Sequence, residues 1–201
     1  MLILGLDPGS LHTGYGLVER RGSQITLVDA GRFSCPGTQA LPARLASLAA
    51  RLADLVDRHR PSLAALETPF HGPNTRSLIV LAQARGALLA ALAARGVEIS
   101  ELSPAEVKSA ITGNGRAGKD QVARMVALLL GLSLPGPAAA RRAGQTGAHP
   151  ANAAAPQPSK PLPKPLSPDA SDALALALCC AQRLRFDRLA GRLGDRPRSA
   201  P

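Results

Sequence analysis

The chain has 201 residues and carries 24 lysine and arginine residues against 14 aspartate and glutamate residues, which gives a formal net charge of +10. Its hydrophobic content of 45% is high enough for a core and excludes a wholly disordered chain. The charge favours a polyanionic partner such as nucleic acid or an acidic membrane surface, while the 2% aromatic content argues against an extended platform for base stacking.

Three strands and one helix are predicted in the first 60 residues. Residues 1–7 are an apolar run that ends on Asp7, which is typical of a central strand buried on both faces. Residues 13–20 and 24–33 predict two further strands, and the short polar segment between them predicts a hairpin. Leucines spaced three or four residues apart from Leu41 to Leu55 predict a helix with one apolar face.

A second apolar run, residues 61–67, also ends on a carboxylate and predicts a fourth strand. Asn74 is the predicted N-cap of a helix that reaches about Arg95 and whose apolar surface is broad for a helix with one buried side. Residues 97–102 predict a fifth strand. No apolar run in the chain approaches the roughly 18 residues that a membrane helix needs, so no membrane-spanning helix is expected, and no membrane is predicted as a partner.

Two more helices are predicted after the fifth strand. The segment Ser103-Pro104-Ala105-Glu106 has the pattern of a capping box with proline at the first helical position, which indicates a helix start. The glycine-rich loop 113–118 precedes a helix marked by Val122 and Val126, which Gly131 ends. The succession of elements predicts an α/β fold in which a mixed sheet is flanked by helices.

The composition changes towards the C-terminus. Residues 134–168 contain 9 of the 18 prolines and predict a disordered proline- and alanine-rich linker. We therefore predict a folded core over 1–133, the linker insertion over 134–168, a final helix over 169–188 that returns to the core, and a basic flexible tail over 189–201.

The cysteines indicate a reducing compartment. Cys35, Cys179 and Cys180 are an odd number, and the last two are adjacent, which suits neither a disulfide framework nor a common metal motif. The N-terminus also lacks the basic segment of a secretory signal. Reduced thiols in a cytoplasmic protein are the expectation.

Four carboxylates stand out because their surroundings are apolar. Asp7 and Glu67 end predicted strands, and Asp169 and Asp172 project from one face of the first turn of the last helix. Clustered carboxylates repel one another, and a divalent cation with a preference for oxygen ligands, Mg²⁺ or Mn²⁺, removes that cost. Each has a structural alternative except Glu67. Asp7 alone could simply be a turn residue, and Asp169 and Asp172 alone could simply stabilise the positive end of the helix dipole, whereas a glutamate at the end of a strand has no such structural role.

Several motifs, in order along the chain, resemble those of RuvC-type Holliday-junction resolvases. They run from residue 3 to about 185, and the ordered set is far more specific than any one motif. They are Gly5-Leu6-Asp7-Pro8-Gly9-Ser10, Thr13-Gly14-Tyr15-Gly16, Leu66-Glu67 with Phe70, Gln83-Ala84-Arg85-Gly86, Val107-Lys108, Lys119, and Asp169-Ala170-Ser171-Asp172-Ala173-Leu174-Ala175. The long linker departs from the family, which has a short connection there.

The resemblance implies an RNase H-like (integrase-like) fold with a five-stranded mixed sheet, and a homodimer that nicks four-way junction DNA in recombination and repair. It also implies cooperation with the RuvA–RuvB branch-migration complex. It assigns a catalytic, metal-binding tetrad to Asp7, Glu67, Asp169 and Asp172. Two Mg²⁺ ions are expected in each active site, and Mn²⁺ could substitute for them. The expected reaction is a pair of symmetric nicks whose products carry a 5′-phosphate and a 3′-hydroxyl.

Basic and aromatic residues are expected to hold the DNA. Lys108 and Lys119 match family lysines near the scissile phosphate, and Lys119 is also expected to act in catalysis. Phe70 matches an aromatic residue that stacks on bases at the junction. Arg76 and Arg116 are predicted as further DNA contacts.

Two other functions fit part of the pattern. Asp7 and the glycines after it also resemble the phosphate loop of actin-like kinases and ATPases, but the ordered residues leave no room for the second half that such enzymes need. A non-catalytic junction-binding module is the other alternative, and the presence of all four carboxylates argues against it. Three assays distinguish these functions. ATP hydrolysis would indicate the kinase or ATPase, metal-dependent nicking of a junction would indicate the resolvase, and junction binding without cleavage would indicate the binding module.

Overall fold

The computed structural model of the chain describes residues 1–68, 75–132 and 166–194. Within these ranges the chain forms five strands and five helices. In chain order they are β1 (Leu2–Asp7), β2 (His12–Arg21), β3 (Gln24–Ser34), α1 (Leu41–His59), β4 (Leu63–Glu67), α2 (Thr75–Ala93), β5 (Glu98–Leu102), α3 (Pro104–Thr112), α4 (Lys119–Leu129) and α5 (Pro168–Gly194).

The five strands form one mixed sheet in the order β3-β2-β1-β4-β5. The strands β1, β2 and β3 are antiparallel neighbours, as the hairpin pattern predicts, and Gly22 supplies the positive φ of +62° in the turn between β2 and β3. The strand β4 is parallel to β1 and to β5 because helices cross over between them. The predicted mixed sheet flanked by helices is confirmed.

Helices cover both faces of the sheet because the central strands are apolar on both faces. On β1, Ile3 belongs to a core shared with α3, α4 and α5, whereas Leu4 and Leu6 belong to a second core shared with α1 and α2. This alternation is the period of two that a strand imposes. The central strand β1 is therefore fixed from both sides, and so is the position of the carboxylate at its end.

The helix α5 lies unusually close to the sheet. A Cβ atom on Gly5 would overlap the carbonyl oxygen of Ala173, and one on Gly14 would overlap the carbonyl oxygen of Asp169. Only glycine permits this approach of a helix backbone to a strand backbone. These two glycines on β1 and β2 therefore set where the first turns of α5 lie.

The capping box predicted at residue 103 is present. The backbone N–H of Glu106 donates to Ser103 Oγ at 3.2 Å, and the backbone N–H of Ser103 donates to Glu106 Oε2 at 2.7 Å. The two bonds satisfy backbone donors that a helix start otherwise leaves free. They fix the start of α3, which carries Lys108.

The boundaries predicted near the C-terminus differ from the structure. Leu166, assigned to the linker, packs against the core, and α5 begins at Pro168. The helix also continues past residue 188 to Gly194, because no proline interrupts its leucine-, arginine- and alanine-rich sequence before that point. The rest of the predicted linker, residues 133–165, and residues 195–201 lie outside the described part of the chain. All three cysteines are free and buried.

The helix α2 corrects the expectation that no segment has the length and composition of a membrane helix. Its 19 residues are long and apolar enough to cross a membrane by these two criteria alone, and only 17% of its most apolar 18-residue stretch is buried. Isolated polar residues such as Arg76 and Arg85 interrupt its apolar sequence, so the helix contains no unbroken apolar run of that length. Its buried residues Ala84, Leu88 and Leu92 pack towards α1 and the sheet, as in a helix of a folded domain.

Candidate active site

Two carboxylates meet where neighbouring parallel strands end. The strands β1 and β4 pair in register up to Leu6 and Leu66, so the next residues, Asp7 and Glu67, are neighbours at the same edge of the sheet. By strand alternation both side chains lie on the face that α5 covers. We call Asp7 and Glu67 the strand pair.

Two further carboxylates come from the first turns of α5, and we call Asp169 and Asp172 the helix pair. The close packing of α5 on Gly5 and Gly14 brings this turn to the edge of the sheet where β1 ends. A cavity of about 170 Å³ forms there. Its charged lining consists of Asp7, Glu67, Asp172, Lys108 and Lys119.

Burial and the neighbouring carboxylates disfavour the charged form of the strand pair. Burial, followed by the charges of Asp172, Asp169 and Glu67, raises the pKa of Asp7 from 3.8 to about 7, although Lys119 acts in the opposite direction. Burial and the charge of Asp172 also raise the pKa of Glu67 above its ordinary value, against the opposing charges of Lys119 and Lys108. Both carboxyl groups therefore resist ionisation in the absence of a further positive charge.

Each carboxylate of the helix pair has its own basic partner. Lys119 Nζ lies 3.3 Å from Asp172 Oδ2, and this contact raises the pKa of Lys119. Arg32 Nη1 donates to Asp169 Oδ2 at 3.2 Å. As a result Asp169 is held beside β3 and is absent from the cavity lining, although its charge still acts on Asp7.

The donor set suits a divalent metal ion in its chemistry. The residues are hard oxygen ligands, and the raised pKa of Asp7 reflects a cluster of negative charge that a cation would relieve. As the side chains stand, the described part of the chain contains no group of three or more His, Cys, Asp or Glu side chains that could hold a metal ion. One physical reason is that Asp169 and Asp172 are each ion-paired, with Arg32 and Lys119 respectively, and so are not directed at a common point.

Of the residues predicted to contact DNA, two line this cavity. Lys108 and Lys119 line it, and Lys119 is the first residue of α4, directly after the Gly118 N-cap. Arg116 is exposed in the loop before α4. Arg76 is exposed at the start of α2 and lines a separate cavity with Ser10. Phe70 lies outside the described residues.

Arg85 is a site residue whose role the sequence did not reveal. Its Nε donates to the backbone oxygen of Glu67 at 3.4 Å. Its Nη2 lies 2.7 Å from Glu101 Oε1, a close ion pair that lacks hydrogen-bond alignment. Arg85 thus joins α2 to the end of β4 that carries Glu67. The motif Gln83-Ala84-Arg85-Gly86 was the available signal, but it did not indicate this contact.

Comparison with known proteins gives one family. The family model described as crossover junction endodeoxyribonuclease RuvC matches residues 3–143. Among curated relatives, the crossover junction endodeoxyribonuclease RuvC of Anaeromyxobacter dehalogenans is 47% identical over 131 residues, which are 65% of this chain and 70% of that protein. The RuvC of Pelotomaculum thermopropionicum is 37% identical over 189 residues, or 94% of this chain and 97% of that protein.

Solved structures agree with the sequence relatives. The structure of T. thermophilus RuvC in complex with a Holliday junction substrate matches with a TM-score of 0.72 and 29% identity, covering 93% of this chain and 96% of that one. The yeast mitochondrial Holliday junction resolvase shares the fold, with a TM-score of 0.57 at 14% identity over 96% of this chain and 85% of that one. The expected RNase H-like fold is confirmed.

Proposed function

The chain belongs to the RuvC family of crossover junction endodeoxyribonucleases, and from this premise we propose how its site cuts DNA. It is a nuclease that resolves Holliday junctions. The observation that carries the proposal is the convergence of Asp7, Glu67 and Asp172 on one cavity that also contains two lysines. Acidic groups that can hold cations, next to lysines that can hold phosphate, are the parts that phosphodiester hydrolysis needs.

Two divalent ions are expected in this site. Asp7, Glu67, Asp169 and Asp172 would hold Mg²⁺, or Mn²⁺ in its place, and the bound ions would polarise the phosphate, activate water and stabilise the leaving oxygen. All three other carboxylates act on the pKa of Asp7, so Asp7 is the residue on which we expect ion binding to depend most.

The protonation state of Asp7 couples ion loading to pH. With a pKa of about 7, this carboxyl group is only partly ionised at neutral pH when no cation is bound. Binding a cation requires the ionised form, so loading releases a proton and tightens as the pH rises. We expect a bound cation to lower the pKa of Glu67 as well as that of Asp7.

The lysines are suited to the DNA backbone. Asp172 raises the pKa of Lys119, so its ammonium stays fully charged at neutral pH. The side chain of Lys119 is 87% exposed and stands at the start of a helix, where backbone N–H groups also favour a phosphate. Lys108 faces the same cavity. We also propose that Phe70 stacks on bases of the junction and that Arg76 and Arg116 contact the DNA. The nicks are expected to leave a 5′-phosphate and a 3′-hydroxyl.

We infer that a second copy of the chain covers α2. This helix is apolar on most sides yet exposes Ile79 and Leu81, and one two-fold dimer would present two matched sites to a two-fold junction. Ile79→Glu, at a residue 54% exposed, should convert the dimer to monomer in equilibrium sedimentation. Leu128→Glu, on α4 and 71% exposed, is the matched control. A wild-type chain that is monomeric at micromolar concentration would contradict the dimer.

The cellular setting follows from the same family. We propose that the protein acts on chromosomal junctions in the cytoplasm and receives them from the RuvA–RuvB branch-migration complex. The three buried free thiols suit a reducing compartment. Stimulation of cleavage by added RuvA–RuvB on a mobile junction is the measurement that tests this partnership.

A cleavage assay tests the activity directly. A synthetic four-way junction and a linear duplex of the same sequence are each incubated with the full chain and Mg²⁺, Mn²⁺ or EDTA. We expect paired nicks in the junction with either metal, little cutting of the duplex, and none with EDTA. End-labelling of the products identifies the phosphate and the hydroxyl termini.

Two outcomes would contradict the proposal. Tight junction binding without cleavage under either metal would indicate a binding module. Equal cutting of duplex and junction would remove the structural selectivity. ATP hydrolysis, measured in parallel, should be absent, because the chain matches a junction resolvase over 93% of its length.

A further inference from the structure

The carboxylate of Asp169 is held by a residue from the edge strand of the sheet. Arg32 lies directly opposite Gly14 in the β2–β3 ladder, so the two residues share the sheet face that α5 covers. Because Gly14 has no side chain, the Arg32 side chain reaches past it to the first turn of α5. Arg32 Nη1 there donates to Asp169 Oδ2 at 3.2 Å, across 137 residues of sequence.

We propose that Arg32 is a positioning residue that holds the Asp169 carboxylate at the rim of the cavity and competes with a divalent cation for it. The inference rests on the proposed function, since it assumes that Asp169 helps to bind metal. In its held position Asp169 does not line the cavity, whereas Asp7, Glu67 and Asp172 do. Arg32 therefore separates one carboxylate from the other three.

The contact has the properties of a reversible one. It is made by a single guanidinium nitrogen, and the two side chains are 40% and 30% exposed. Ion pairs of this kind contribute little net stability, so a cation can displace them. The ionised guanidinium also offsets the negative charge of Asp169, which weakens the attraction of this carboxylate for a cation.

Removing Arg32 should strengthen metal binding. In the full chain without DNA, Mn²⁺ is titrated and the free ion is followed by electron paramagnetic resonance. We expect Arg32→Ala to tighten Mn²⁺ binding by about three- to tenfold, the scale of one nearby charge in a partly exposed site. Arg32→Lys keeps the charge and should bind Mn²⁺ as the wild type does.

The control is Arg51→Ala. Arg51 is also exposed and donates to the nearby backbone oxygen of Ser34 at 3.2 Å, but it is not ion-paired with any carboxylate among the described residues. Its removal should leave the Mn²⁺ affinity unchanged. In an Asp169→Asn background, the gain from Arg32→Ala should fall below about twofold, because the held carboxylate is gone.

The results separate the inference from the proposed function. A wild-type chain that binds no Mn²⁺ would contradict the metal site itself. A wild-type chain that binds Mn²⁺, with Arg32→Ala binding equally or more weakly, would overturn the competition and leave the site standing. Weaker binding would mean that Arg32 presents Asp169 to the ion. Circular dichroism melting of each variant establishes that it is folded at the titration temperature.

Discussion

The strand pair, Asp7 and Glu67, has no ion-pair partner among the described residues, whereas each member of the helix pair has one, Arg32 for Asp169 and Lys119 for Asp172. The strand pair is fixed by the sheet and half-buried, and nearby lysines offset its negative charge only in part, so protonation or a bound cation is needed to relieve the rest. The helix pair is neutralised by exposed side chains that can move away. The two carboxylates on the sheet therefore attract a cation at all times, whereas the attraction of the two carboxylates on α5 depends on whether Arg32 and Lys119 stay in place.

The largest effect is expected from neutralising Asp7. Asp7→Asn removes the carboxylate on which the other three act, and it should lower the cleavage rate by about three orders of magnitude or more, the scale of lost metal-ion catalysis. Junction binding should be kept, because no basic residue is changed. The measurements are single-turnover cleavage and a gel-shift titration on the same four-way junction.

The control for this variant is Asp54→Asn, on the exposed side of α1, which should cleave normally. Cleavage by Asp7→Asn at a rate close to that of the wild type would show that Asp7 is not essential. It would also contradict the inference that the strand pair attracts the cations that cleavage needs.

The second prediction concerns the pH dependence of stability. Asp7 has an unfolded-state pKa near 3.8 and a folded-state pKa of about 7, so between these values the folded chain holds more protons than the unfolded chain. The free energy of unfolding of the metal-free protein therefore decreases as the pH rises through this interval. The loss attributable to Asp7 is on the order of 4 kcal/mol, which is the free-energy equivalent of the difference between the two pKa values.

Urea unfolding at pH 4.5, 6 and 8 in EDTA measures this loss. Asp7→Asn should flatten the profile and be the more stable protein at pH 8, although it is the inactive one. Saturating Mg²⁺ should restore stability to the wild type and have less effect on the variant. A wild-type stability that is constant or increases from pH 4.5 to 8 would contradict the uncompensated charge of the strand pair.

The strand pair could be predicted from the sequence, and the reason is physical. Apolar runs that end on Asp7 and Glu67 indicate buried strands, and parallel neighbouring strands bring their C-terminal ends to one edge. The α/β fold with a mixed sheet followed from the same periodicities, whereas the RNase H-like fold was implied by the family resemblance. The capping box at Ser103 predicted its helix start correctly. These features depend on short stretches of chain, in which local preference and the final structure agree.

The partners of the helix pair could not be predicted in this way. The contact of Arg32 with Asp169 depends on the register of β2 and β3 and on the height of α5 above the sheet, neither of which a local pattern contains. The contact of Arg85 with Glu67 depends likewise on how α2 packs. The broad apolar surface of α2 could be predicted from the sequence, but which of its residues the neighbouring elements leave exposed could not.

The third prediction changes the distance between the two pairs. Gly14→Ala places a methyl group against the carbonyl oxygen of Asp169 and should force α5 away from β2. We expect a loss of about 1–3 kcal/mol in the free energy of unfolding, as for other overpacked sites, together with slower cleavage. Gly37→Ala, whose added methyl would meet only Leu11 at 3.9 Å, is the control and should be neutral. If Gly14→Ala cleaved and unfolded like the wild type, the close packing of α5 would not set the geometry of the site.

The smallest expected effect concerns Lys119, the partner of Asp172. Lys119→Gln removes one phosphate contact and should weaken junction binding by about tenfold at low salt, with a salt dependence whose slope is shallower by about one. Arg21→Gln, at the far end of β2, should leave the slope unchanged. The same change frees Asp172 for a cation, so Mn²⁺ binding without DNA should become slightly tighter. Weaker DNA binding with tighter metal binding is the combination expected only of a partner that can move from Asp172 to phosphate; an unchanged salt slope would mean that Lys119 serves Asp172 alone.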